Sequence, residues 1–143
     1  MNILAIDSSG DQTSVCVILN EDIVSFSSKH KRKERPDWNQ LLINIGHKKI
    51  FLLDDIDLFA YANSSNSYTA TRSVATYLKA VTIALAKPLI AVLPEEKEGV
   101  HADKIAMVAK QKFIDSGHNP KIFNPDEANP LYAIDTQYKK INE

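Results

Sequence analysis

Ile3-Leu4-Ala5-Ile6-Asp7-Ser8-Ser9-Gly10-Asp11-Gln12-Thr13-Ser14-Val15-Cys16-Val17-Ile18-Leu19 is the stretch on which the fold turns. Two apolar runs flank a short turn of small polar residues, which predicts a β-hairpin. Asn2–Asp7 reads as a buried strand ending in a carboxylate, and Thr13–Leu19 reads as its partner. The hairpin places Asp7, Ser8, Ser9 and Ser14 at the mouth of a sheet. Backbone N–H groups in a tight turn converge on anions, so a phosphate cradle is one reading of this turn. A purely structural hairpin is the other.

Working outward, Asn20-Glu21-Asp22 is a turn and Ile23–Ser28 a third strand. Pro36 suits a first helical position, and the spacing of Trp38, Leu41, Leu42 and Ile45 predicts a helix from about Asp37 to Lys48. Asp57–Tyr61 reads as a fourth strand, followed by a loop over Ala62–Asn66. A second helix runs from Ser67 or Thr69 to Ala86, with Val74, Tyr77, Leu78, Val81 and Leu85 as its apolar stripe. Pro88 stops it, and Leu89–Leu93 is a fifth strand. A third helix over His101–Ser116 carries Ile105, Val108, Ala109 and Phe113 and ends at Gly117; an irregular tail follows. Three meandering strands followed by alternating helices and strands predict an α/β fold, a mixed five-stranded sheet with flanking helices. This is the ribonuclease H-like, actin-like ATPase (ASKHA) plan.

Composition narrows the function classes. A net charge of −1 gives no global drive toward nucleic acid or membrane. The lone Cys16 forms no disulfide within the chain and fits a reduced, cytoplasmic setting, as a buried small hydrophobe rather than a nucleophile. The start has no basic segment before its apolar run, so no signal peptide is expected. No apolar stretch reaches the ~20 residues that span a bilayer. His30, His47, His101 and His118 are scattered without ligand spacing, so no metal is expected.

The residues resemble those of the TsaB (YeaZ) family, a subunit of the bacterial machinery that makes threonylcarbamoyladenosine in tRNA. Ile3–Ser9 looks like the family's start, and Ser14-Val15 matches its usual pair. Ala60–Arg72 is similar to the family's central Gly-Pro-Gly-Ser-Phe-Thr-Gly motif: Ser67, Thr69 and Arg72 match, and Tyr68 replaces the aromatic residue. The motif's glycines are replaced at Ala62, Ser64, Asn66 and Ala70, and its proline by Ser65. Glycine there would permit positive φ and close approach of the backbone. Asp37 stands where the family usually has a histidine. The chain is also shorter than family members. Residues 1–93 correspond to an actin-like ATPase-type N-terminal domain. Residues 94–143 look like an acidic loop, terminal helix and Pro130-Leu131-Tyr132 tail left from a truncated second domain and packed on the first.

The resemblance implies a non-catalytic subunit, without cofactor, that binds and supports the catalytic subunit TsaD. Asp7, Ser8, Ser9 and Ser14 are then a vestigial phosphate loop, with no catalytic residue. The implied partner interface is drawn from Trp38, Leu41, Leu42, Ile45, Arg72, Val74, Ala75, Tyr77 and Leu78, and it would take TsaD or a second copy. A TsaE-type ATPase would join in a larger complex, with tRNA contact indirect or weak. Two alternatives remain open: a nucleotide-binding ATPase or kinase half-domain using Asp7–Ser9, and a tRNA-binding adaptor using the basic run Lys29–Arg35. For that run a solvated loop is the plainer reading.

Overall fold

Side chains alternate across the opening hairpin and sort its residues onto two faces. In the computed structural model, which describes residues 1–31, 36–63, 68–94 and 99–127, strand β1 (Ile3–Ser8) pairs antiparallel with β2 (Gln12–Leu19). The side chain of Tyr68 also lies outside the described residues. Leu4 stands opposite Val17 and Ile6 opposite Val15 on one face; Ile3 opposite Ile18 and Ala5 opposite Cys16 occupy the other. Both sets are fully or almost fully buried, so both faces of the sheet need cover.

The remaining strands are β3 (Asp22–Lys29), β4 (Leu58–Ala62) and β5 (Leu89–Val92). The spatial order is β3-β2-β1-β4-β5, with β4 parallel to β1 and β5 parallel to β4. Helices α1 (Trp38–Asn44) and α2 (Tyr68–Leu85) cover the Leu4 face; their Leu41, Leu42, Val74, Ala75 and Leu78 join Ile6, Val15, Phe59 and Tyr61 in one apolar cluster. Helix α3 (Ala102–Asp115) covers the Ile3 face with Ala102, Ile105, Ala106, Ala109 and Phe113. The mixed sheet with helices on both faces is the architecture that the hairpin and crossovers predict.

Two elements differ from the periodicity. Helix α1 stops at Asn44 rather than Lys48, because Gly46 adopts φ +109° and the His47 N–H turns back to the Leu42 carbonyl at 2.9 Å. A Cβ on Gly46 would collide with the Ile50 side chain. Asp37 caps the other end of α1, accepting from the Gln40 N–H. The tail after α3 forms short 3-10 turns at Pro120–Phe123 and Pro125–Glu127; Pro130, Leu131 and Tyr132 lie outside the described residues.

Candidate functional site

Asp7 and Ser14 stand opposite each other across the β1–β2 pair, on the face that α3 covers. That register aims both side chains at one end of α3. Asp7 Oδ2 accepts from the His101 N–H at 2.8 Å, and Ser14 Oγ accepts from the Ala102 N–H at 3.1 Å. These are two of the N–H groups that a helix start leaves without an intrahelical partner. His101, the N-cap residue, supplies no side-chain cap of its own. The cap of α3 therefore comes from the hairpin, about as far away along the chain as the fold allows.

Ser8 and Ser9 are engaged locally. Ser8 Oγ lies 2.8 Å from Thr13 Oγ1, which in turn lies 2.9 Å from His30 Nε2. Ser9 donates to Asp11 Oδ1 and to the Gln12 carbonyl, both at 3.2 Å. Each hydroxyl of the supposed phosphate turn thus has a protein partner. Burial raises the Asp7 carboxyl above its ordinary 3.8; the His101 N–H bond and the His101 charge oppose this less strongly. Burial, and after it the charge of Asp103, push the Cys16 thiol up to about 12, so it stays protonated at neutral pH and is a poor nucleophile.

Beside Asp7, at the carboxyl ends of β1 and β5, lies a cleft of about 420 Å³. Its walls include Val92, Leu93, Ile105, Met107 and Val108, with His101, Asp103 and Lys104 at its polar side. Open α/β sheets commonly place ligands at this end. Among the described residues no group of three or more His, Cys, Asp or Glu could hold a metal ion. No helix among them is long and apolar enough to cross a membrane.

The residues implied as a partner interface separate by depth. Leu41, Leu42, Ile45, Val74, Ala75 and Leu78 lie inside the core, between 0 and 8% exposed. The stripe that recurs at helical spacing is here the stripe that covers the sheet, so these six residues fall on the core side of the implied division between core and interface. Trp38 and Tyr77 lie at its margin, half-buried and stacked with ring centroids 5.4 Å apart. Arg72 is exposed on the first turns of α2, and so is Thr69. Ser67 lies outside the described residues, as do Arg32–Arg35 of the basic run; Lys29 and Lys31 are exposed.

What sequence periodicity missed is the outward side of α2. Thr76, Ala80, Ile83 and Ala84 are exposed there, with Ile83 at 54%. The helix carries two charged residues in 18, Arg72 and Lys79, and no acid. A solvent-facing helix surface is normally rich in charge. The exposed Ile43 of α1 adds to the apolar character of this layer.

The hairpin, mixed sheet and two-sided helical cover define an actin-like, ribonuclease H-like α/β domain. Among solved structures it is similar to YeaZ from Pseudomonas aeruginosa, with a TM-score of 0.60 and 18% sequence identity, over 81% of this chain and 50% of that chain. A crystal structure described as an uncharacterized protein with similarity to peptidase YeaZ from Pseudomonas aeruginosa matches with the same TM-score and identity, over 81% and 49%. The chain spans about half the length of these structures, and at this identity the likeness is one of fold. No family model and no curated protein matches the sequence.

Proposed function

We propose that this chain is a non-catalytic TsaB-like subunit. It would bind and support a TsaD-type catalytic subunit during threonylcarbamoylation of the anticodon-adjacent adenosine of tRNA, in the cytoplasm. The observation that carries this reading is the use made of Asp7 and Ser14. In a phosphate site these groups would face a metal-bound nucleotide; here they hold the start of α3. A hydroxyl and a carboxylate committed to helix N–H groups have less capacity left for a phosphate or its cation. The charge-poor outer side of α2, next to Trp38 and Tyr77, supplies the surface for a partner helix pair. Apolar and small residues there permit close helix packing.

The test is co-expression with the cognate TsaD-type protein, followed by co-purification. Ala80→Arg places a long cation on the outer face of α2 and should abolish the complex while the chain stays folded. A complex that survives Ala80→Arg and Thr76→Arg would remove the helix surface from the proposal. Titration with ATP and Mg²⁺ addresses the rival reading. Micromolar binding lost in Asp7→Ala would favour a nucleotide-binding half-domain instead.

A further inference from the structure

The cleft between the end of β5 and α3 has two unlike ends. Asp103 and Lys104 stand on the first turn of α3, next to the His101 N–H that Asp7 holds. Met107 and Val108 stand one turn further on, on the same side of the helix as Asp103 and Lys104 respectively. Together with Val92, Leu93 and Ile105 they form an apolar end. Leu93 is 66%, Met107 49% and Val108 43% exposed, so several of the larger exposed apolar side chains converge on one concavity. Single exposed apolar residues are ordinary, whereas a contiguous group marks a surface that something covers. The volume of about 420 Å³ lies within the range of small-molecule sites, which pair apolar walls with a few polar groups.

Asp7 decides what such a molecule carries. Its Oδ2 accepts from the His101 N–H. Among the described residues its Oδ1 receives no hydrogen bond, and neither oxygen pairs with a lysine or arginine. Burial makes this carboxylate costly to ionise, and a positive group set against it relieves that cost. An anion fits poorly. The His101 and Ala102 N–H groups that would draw it to the start of α3 are held by Asp7 and Ser14, and Asp103 adds a second carboxylate. A metal ion fits poorly too, since among the described residues no group of three or more ligating side chains surrounds a point.

We propose that this cleft binds a small organic amine in its ammonium form, carried on an apolar body such as one aromatic ring. The ammonium donates to Asp7 Oδ1, and the ring lies against Leu93, Met107 and Val108. A phosphate bound through a metal needs several oxygen ligands. One ammonium N–H needs only the oxygen that Asp7 has left. The site lies at α3 and does not depend on the α2 surface, so its failure would leave the TsaD-type reading untouched.

Titration of the full chain with phenethylamine, followed by amide chemical shifts in nitrogen-15 spectra, tests the proposal. Saturable shifts at Leu93, Gly99 and Met107 are expected, with a dissociation constant of about 0.1–1 mM, ordinary for so small a ligand. Phenethyl alcohol has the same shape without the charge and should bind about tenfold more weakly. Hydrocinnamate, which carries a carboxylate instead, should not bind measurably. Asp7→Asn keeps an acceptor for the His101 N–H. It should weaken the amine by about tenfold or more and leave the alcohol unchanged. Met107→Lys is a second variant, at an exposed position; its ammonium should repel the amine and weaken it by a similar factor. Spectra dispersed like those of the unmodified chain establish that each variant is folded. If Asp7→Asn is unfolded, Met107→Lys and the comparison of amine with alcohol decide. Shifts that do not saturate, or that fall on another face, overturn the proposal. So does equal affinity for amine and alcohol, or an amine affinity indifferent to either folded variant.

Discussion

The carboxylate of Asp7 accepts a hydrogen bond from the backbone N–H of His101, 94 residues further along the chain, at 2.8 Å. The acidic residue that suggests a phosphate site is a helix cap supplied from another element. Asp7→Ala removes the acceptor and should lower stability by about 1 kcal/mol, the usual cost of losing an N-cap side chain. Asp7→Asn keeps an acceptor oxygen and should cost much less. Urea denaturation of the two variants separates the cap from the charge.

The same residue sets a pH dependence. Its native carboxyl titrates above the ordinary 3.8, chiefly through burial. Between those two values the native state holds a proton that the unfolded state has released. Stability from Asp7 is therefore full at acid pH and falls as pH rises through that window. Asp7→Asn lacks this term. The unmodified chain should lose stability relative to Asp7→Asn from acid to neutral pH, which denaturation midpoints across that range will report. A constant difference would mean that burial does not govern Asp7.

Ser14 is 3% exposed and accepts from the Ala102 N–H. Ser14→Ala leaves a buried N–H without its partner, at a cost of about 1–3 kcal/mol. Because Asp7 and Ser14 hold the same helix end, the double variant should lose less than the sum of the two singles. A double-mutant cycle on denaturation free energies measures the coupling.

Trp38 is the chain's single tryptophan and stacks on Tyr77. Tyr77→Ala should red-shift Trp38 emission and cost at least about 0.5–1.5 kcal/mol for the lost aromatic pair. A partner seated on the outer side of α2 should change the same emission. Fluorescence titration with the TsaD-type protein reads both effects from one probe.

Leu78 is fully buried and Ala80 exposed, although only two residues separate them on α2. Leu78→Ala should destabilise by about 2–5 kcal/mol through transfer and cavity terms. Ala80→Arg should change stability by about 0.5 kcal/mol or less, as surface substitutions generally do. Thermal melts distinguish the two positions, and the proposed partner surface belongs to the second.

The apolar runs of Ile3–Ile6 and Val15–Leu19 made the central strands legible, since strands buried on both faces read as continuous apolar segments. The helical stripes were legible too, but a stripe marks only that a face is covered. It does not distinguish Leu78 against the sheet from a residue against a partner. The end of α1 is not legible from apolar spacing, which continues through Ile45, while the backbone of Gly46 turns the chain. The capping of α3 by Asp7 and Ser14 was beyond reach of local pattern. It depends on two side chains brought together by strand register and on a helix start at residue 102, and no spacing rule links them.

The position of α3 bears on how the protein is made. Ile3, Ala5, Cys16 and Ile18 lie far upstream of the helix that shields them, which is the last α-helix among the described residues. Until Ala102–Asp115 has left the ribosome, that apolar face lacks its α3 cover. A nascent chain paused before that point would need a chaperone or would aggregate, because exposed apolar sheet surface is the common route to misassembly. Translation of α3, and not the opening hairpin by itself, thus completes the cover of this sheet face.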